Sequence, residues 1–491
     1  MNTPVRRVAI AVMVMILMLL ANLTYVQVVK ANDYRNDPRN QRVLLAEYAR
    51  KRGQISAGGQ VLASSVETDD RLRYQRQYAN GPLYAALTGY YSVIYASSGI
   101  ERAEDGVLNG SDDRLFVRRL SDLITGRDPS GGNVVLTIDP QVQKVAYDAM
   151  NAKKFAGAVV ALRPSTGEIL AMVSTPSFDP TKLADHNAET QKAAWTQYSA
   201  DNPSTLINRA ISVTYPPGST FKLVDTAAAL QDGFTPDSPL PAASRITLPG
   251  TNTTLENFAG TPCGAGPTAT LADALARSCN TAFATLTGQV GQSKLRTQAE
   301  QFGIGETDLA IPMPVAASTI GTIPDAAALY QSGIGQRDVA LTPLQNAEIV
   351  AAIANGGIRM TPYLVKSIQG PDLSTLDTTD PDRAGRAVPA DVAQTITQLM
   401  IGSENRTQGG GKIAGVQIAS KTGTAEHGNT PKQTPPHAWY IAFAPAENPQ
   451  VAVAVVVENG GDRALEATGG SVAAPIGRAV IAAALGGGGG R

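Results

Sequence analysis

The sequence predicts an α/β protein of the α+β type, built on one five-stranded antiparallel sheet. Three observations carry this. Residues 156–174, AGAVVALRPSTGEILAMVS, are two apolar runs joined by Arg-Pro-Ser-Thr-Gly-Glu, a hairpin pattern. Helical patterns follow, among them TLADALARSCNTAFATLTGQV and LTPLQNAEIVAAIANGG, the second stopped by Gly356-Gly357. Three more strand-like runs come near the end: GVQIASKTGT, AWYIAFAP and VAVAVVVEN. Two strands, many helices and then three strands imply a sheet whose edges come from distant parts of the chain.

Taken in order, the chain opens with residues 1–7, a short tail carrying Arg6 and Arg7. Residues 8–29 hold no charge and are long enough to cross a hydrocarbon core of roughly 30 Å. The two arginines orient the N-terminus toward the cytoplasm. A cleaved signal peptide would have a shorter apolar core ending in a small-x-small site, and the residues after Leu20 offer no clean one. The expectation is an uncleaved, single-pass signal-anchor in the cell membrane. No later run reaches spanning length, so the rest of the chain is placed outside the cytoplasm. NDYRNDPRNQR, 32–42, reads as a polar linker. Val43 to Ala146 mixes short β-like runs with turn signals and shows no constellation that carries chemistry. An accessory domain over 30–150 is the simplest reading. The composition changes near residue 155, giving a main domain over 151–485 and a glycine-rich tail, 486–491, expected to be disordered.

A chain of 491 residues implies two or more folded units. Its net charge is −1 and aromatics make up 5%, with no basic run among them, so no nucleic-acid partner is expected. Cys263 and Cys279 are the two cysteines. Outside the cytoplasm such a pair is more readily bonded than free, although two unrelated buried thiols remain open. Closing a loop of this length stabilises by about 3 kcal/mol in the chain-entropy model. Three histidines and no CxxC or HExxH spacing argue against a metal site, and no cofactor is expected.

Chemistry concentrates at YPPGSTFK, 215–222. Pro-Pro-Gly before Ser219 is ordinary helix-start punctuation. If Ser219 opens a helix, Lys222 lies on the same face within reach, a candidate base for a serine nucleophile. Scanning back three positions from each lysine finds a serine at Lys222 alone. The second piece is Ser278-Cys279-Asn280, within a helical pattern. Ser-x-Asn recurs as SEN at 403–405, but there it falls in a Gly-rich stretch with no helix to hold it. The third is Lys421-Thr422-Gly423-Thr424 on a strand, where Gly423 lets a ligand approach the backbone.

S-x-x-K, S-x-N and K-T-G in this order are a signature of serine penicillin-recognising enzymes. The segments NRAISVTYPPGSTFK, GIGQRDVALTPLQNA and IASKTGTAE resemble the transpeptidase domain of class B penicillin-binding proteins over roughly 155–485. RKRGQISAGGQVLASS and LTGYYSVIYASSGIE more weakly resemble their pedestal, dimerisation-like domain. The short chain and single anchor are similar to the actinobacterial A-type group. The resemblance implies a sheet between helices and a peptidoglycan D,D-transpeptidase that cross-links stem peptides ending in D-Ala-D-Ala and is acylated by β-lactam antibiotics. It implies Ser219 as nucleophile, Lys222 as base and Ser278 as proton relay. Lys421, Thr422 and Thr424 would take the substrate carboxylate, with Lys421 remaining charged, and Asn280 would hold the side amide. The backbone N–H groups of Ser219 and Thr424 would form the oxyanion hole. A membrane glycan polymerase is the partner that the class implies.

Rival readings are ranked by the same residues. A β-lactamase would need a deacylating Glu in an E-x-x-L-N segment, and none occurs between Thr281 and Ser420. A D,D-carboxypeptidase shares all three motifs and differs in its acceptor. A non-catalytic β-lactam sensor or scaffold would normally need more membrane spans than the one seen.

Overall fold

The computed structural model describes residues 2–30, 34, 48–126, 128, 130–200, 204–428, 430 and 433–486. The linker expected at 32–42 lies outside the described residues except for Tyr34. So does the tail from 487 onward, while Gly486 closes the last helix. Helix α1, Asn2–Thr24, continues into a π-helical turn, Tyr25–Val29. Within residues 3–29 an 18-residue stretch has a mean hydropathy of 2.4 and is not buried, so length and composition suffice to cross a membrane.

The accessory domain is a six-stranded sheet. Its first strands are β1, Ile55–Ala57, β2, Gln60–Glu67, β3, Tyr74–Tyr78, and β4, Asn133–Leu136. β1 pairs antiparallel with β2 and parallel with β4. Two strands from the middle of the main domain, Val365–Gln369 and Thr375–Thr378, complete the sheet beyond β4. Nothing in the local sequence signals this excursion. Beneath the sheet, Glu101 is fully buried and accepts from both Arg52 Nε and Arg76 Nε at 2.6 Å. This ion cluster has every strong partner within the domain and serves packing.

Helix α2, Pro140–Asn151, leads into the main domain. Asp139 caps it by accepting from the N–H groups of Gln141 and Val142. The expected hairpin is β5, Gly157–Leu162, and β6, Ile169–Thr175. Then come α3, Lys222–Gln231; α4, Leu271–Arg277; α5, Asn280–Val290; α6, Pro343–Ala354; and α7, Ala390–Arg406. The closing strands are β7, Ala419–Ala425, β8, His437–Ala444, and β9, Val451–Val457, followed by α8, Ala474–Gly486.

The five strands form the expected antiparallel sheet in the order β7-β8-β9-β5-β6. Every residue of β5, β6, β8 and β9 is buried, which explains their continuous apolar runs in place of alternation. Trp439, Ile441 and Phe443 pack with the helical side that holds α3, α5 and α6. Tyr440, Ala442 and Ala444 pack with α2 and α8. Gly469–Gly486 is itself apolar enough to span a membrane, contrary to expectation, yet 56% of it is buried against this sheet. It is a core helix. The motif strand β7 is left at the open edge.

Candidate active site

Ser219 lies in a 3-10 turn, Gly218–Phe221, and the α-helix begins only at Lys222, not at Ser219 as the sequence suggested. In a 3-10 turn side chains three apart lie on one face, the geometry that a Ser219–Lys222 pair requires. The turn is clamped from elsewhere in the chain. Gly218 N–H donates to the Gly335 carbonyl at 2.9 Å, and Trp439 Nε1 donates to the Pro216 carbonyl at 3.0 Å. A Cβ on Gly335 would sit 2.1 Å from the Gly218 oxygen, so no other residue fits there.

Lys222 is fully buried. Its Nζ donates to the Ser278 carbonyl at 2.7 Å and to Asn280 Oδ1 at 2.9 Å, and lies 3.4 Å from Ser278 Oγ. Burial first, then Lys421, pushes this ammonium well below the usual lysine range, with Asp225 opposing. The bond count agrees. A neutral amine has two N–H groups for two close acceptors, and its lone pair remains free to take a hydroxyl proton.

The Ser-x-Asn motif does not continue one helix. Ser278 has φ 61° and ends α4, Cys279 is extended, and Asn280 opens α5. The left-handed residue turns Ser278 toward both lysines. Asn280, expected to bind the substrate amide, is instead engaged on both sides: Oδ1 accepts from Lys222 and Nδ2 donates to the Glu256 carbonyl at 3.0 Å. Cys263 and Cys279 are joined in a disulfide, Cα to Cα 5.7 Å, which ties the break between α4 and α5 to the preceding loop. The competing SEN, expected in a loop, is the last turn of α7. Ser403 and Glu404 are buried, and Glu404 pairs with Arg478 Nη2 at 2.8 Å. It has a structural partner, and Ser278 is the serine that reaches the lysines.

Lys421 is also fully buried, and its Nζ donates to Ser278 Oγ at 2.8 Å and to the Thr422 carbonyl at 2.9 Å. Burial pushes it down to about 7. Alternation along β7 sets Thr422 and Thr424 on the face opposite Lys421 and Gly423. Both threonines are half-buried. Thr422 lines a cleft of about 370 Å³ with Phe258, Arg277, Ser278 and Arg406. Gly423 serves the fold more directly than a ligand. A Cβ there would lie 2.8 Å from the Pro217 carbonyl oxygen and 3.1 Å from Trp439 Cβ. The Ser219 turn thus abuts the strand, and a Cβ on Gly218 would sit 3.0 Å from the Thr424 oxygen.

The hydroxyl of Ser278 therefore stands between two buried amines, one of them three residues beyond Ser219. Such a chain can move a proton from an attacking serine toward a leaving amine. Among the described residues no cluster of His, Cys, Asp or Glu could hold a metal ion.

A model of the penicillin binding protein transpeptidase domain matches residues 157–482, and one of the penicillin binding protein A dimerisation domain matches 52–134. The chain is 62% identical over 488 residues to the peptidoglycan D,D-transpeptidase PbpA of Mycolicibacterium smegmatis, covering 99% of each. It is 59% identical over 489 residues to the PbpA of Mycobacterium tuberculosis, again covering 99% of each. The solved ceftriaxone acyl-enzyme complex of penicillin-binding protein A from M. tuberculosis is 58% identical. It superposes with a TM-score of 0.88 over 90% of this chain and 100% of that one. The penicillin G acyl-enzyme complex of the same protein matches with a TM-score of 0.86.

Proposed function

The chain belongs to the class B penicillin-binding protein transpeptidases, and from that premise we propose that it cross-links peptidoglycan through an ester on Ser219 with Lys222 as the base. It is a peptidoglycan D,D-transpeptidase that β-lactams acylate. The observation that carries the assignment of residues is the Ser278 hydroxyl held between the two buried lysines, one of them three residues beyond Ser219.

In this reading Lys222 takes the Ser219 proton as Oγ bonds to the carbonyl carbon between the two D-alanines of a stem peptide. Ser278 passes a proton to the departing nitrogen as the C–N bond breaks and terminal D-alanine leaves. The amine of a second stem then attacks the ester and returns a proton along the same path, freeing Ser219 and forming the cross-link. Holding Lys222 neutral requires a strong bias against its charged form. Burial and the neighbouring Lys421 both act in that direction. The N–H groups of Ser219 and Thr424 form the oxyanion hole, each donor worth about 10²–10³ in rate. The substrate carboxylate docks at the Thr422 and Thr424 hydroxyls, with Lys421 acting as a cation behind Ser278. Asn280 positions Lys222 through Oδ1, and its Nδ2, which spends one N–H on the Glu256 carbonyl, has a second N–H for the stem amide carbonyl.

Residues 8–29 anchor the enzyme with its N-terminus cytoplasmic, and the accessory domain over 30–150 raises the main domain, 151–485, off the membrane. A membrane glycan polymerase is the fitting partner. Labelling of the full-length protein with a fluorescent penicillin tests the nucleophile. The wild type should label covalently and Ser219→Ala should not; equal labelling of both would overturn the assignment. Muropeptide composition with and without the protein tests cross-linking.

A further inference from the structure

Asp225 lies one helical turn beyond Lys222 on α3 and is fully buried. Its Oδ2 is 2.6 Å from Thr287 Oγ1 on α5, and Oδ1 has no hydrogen-bond partner among the described residues. Thr287 Oγ1 is also 2.8 Å from the Phe283 carbonyl oxygen. A hydroxyl carries one proton and cannot donate to two acceptors at these distances. If Asp225 is a carboxylate, one of the two short contacts sets oxygen against oxygen with no hydrogen between. If Asp225 is a carboxylic acid, both are satisfied: its O–H donates to Thr287 Oγ1, whose own O–H donates to the Phe283 carbonyl. The bare Oδ1 agrees, since a buried neutral C=O without a partner costs far less than an unpaired carboxylate oxygen. Burial also pushes this carboxyl up to about 7.

No other charge competes for the group. α5 carries no titratable side chain. On the Gln292–Gln301 helix, Lys294 pairs with Asp232, Arg296 bonds the Gly321 carbonyl and Glu300 is exposed. On α7, Glu404 pairs with Arg478, Arg406 lies 3.6 Å from Asp273 and Asp391 is exposed. Lys421 bonds Ser278, on the far side of Lys222. Among the described residues Lys222 is thus the one ionisable group that acts on Asp225 by its charge.

We propose that Asp225 is carried as a neutral acid donating to Thr287, and that it acts as a positioning residue for acylation by denying Lys222 an anionic partner. An ionised Asp225 would hold Lys222 as an ammonium, which cannot accept the Ser219 proton. The neutral acid lets burial and Lys421 keep the amine free. The consequence for the reaction rests on Lys222 being the base, whereas the protonation state of Asp225 does not.

Full-length protein in detergent decides between these states. The infrared difference between wild type and Asp225→Asn at pH 6 should contain a protonated-carboxyl C=O band. Thr287→Val should move that band, because the O–H loses its acceptor. Asparagine mimics the neutral acid, so the acid limb of the pH profile for penicillin acylation should stay within about 0.3 pH unit of wild type. The proposal is overturned if the band is missing, if Thr287→Val leaves it unmoved, or if the Asn variant shifts the limb a unit or more toward acid. That last shift would mean Asp225 is an anion supporting a charged Lys222. Lys222→Ala separates the two readings: loss of acylation with the band retained supports both. Retained acylation would sink the base assignment, and with it the role of Asp225 in acylation.

Discussion

Replacing Lys421 with methionine removes one cation from the Ser278 hydroxyl and leaves an unbranched side chain of similar length. The contacts of 2.8 Å and 3.4 Å that the two lysines make to Ser278 Oγ bound the separation of their nitrogens at about 6.2 Å. At an effective dielectric constant of about 20, two unit charges at that distance repel by about 2.7 kcal/mol, or roughly two pKa units. Lys421 carries its charge below about pH 7, so its pressure on Lys222 is greatest there. In Lys421→Met the acid limb of the acylation profile should therefore move to higher pH by about two units. At pH 6 the second-order rate should fall by up to about 100-fold beyond any loss common to all pH values. The assay is fluorescent-penicillin acylation of the full-length protein followed across pH. Weaker carboxylate recognition alone would lower the whole curve without moving it. A limb that stays in place, or shifts toward acid, would refute the claim that Lys421 helps keep Lys222 neutral.

Two further outcomes follow from the packing. Gly423→Ala places a methyl 2.8 Å from the Pro217 carbonyl oxygen and should push β7 away from the Ser219 turn. A shift on the order of 1 Å should cost about 10²-fold in acylation rate, and a variant that acylates at the wild-type rate would show that the contact is slack. Glu348 on α6 is buried with Oε1 unpartnered among the described residues, and burial pushes its carboxyl up to about 8. A raised carboxyl contributes stability that is full below its unfolded value, about 4.5, and is lost as pH rises through about 8. Glu348→Gln should therefore gain on the wild type between pH 5 and pH 9, by an amount on the order of a few kcal/mol in urea unfolding. A variant that loses ground at high pH would mean that the ionised Glu348 is held by Arg359.

The alternation of strand and helix signals, the order of the three motifs and the apolar run at 8–29 were legible because each is a local pattern. Hairpin chemistry at Arg163–Glu168 and the glycine stop after α6 are written in adjacent residues, and so is the pairing of Ser219 with Lys222. The two Ser-x-Asn segments were harder. Local sequence favoured SCN for a helix it does not sit in, and rejected SEN for lacking a helix it does have. Ser278 reaches both lysines from a break between helices, because a single left-handed residue leaves no clear mark in a helical pattern.

The sequence by itself determined which groups could do the chemistry and that a sheet would be assembled from both ends of the main domain. Only the tertiary structure decided that Ser278 bridges the two lysines and that Gly423 and Gly335 serve backbone contacts. It also decided that strands from 365–378 complete the accessory sheet, and that Asp225 lies buried against Thr287. The physical reason is common to all of these. Desolvation, proton placement and backbone approach depend on what packs around a group, and those neighbours come from segments whose local patterns contain no reference to one another.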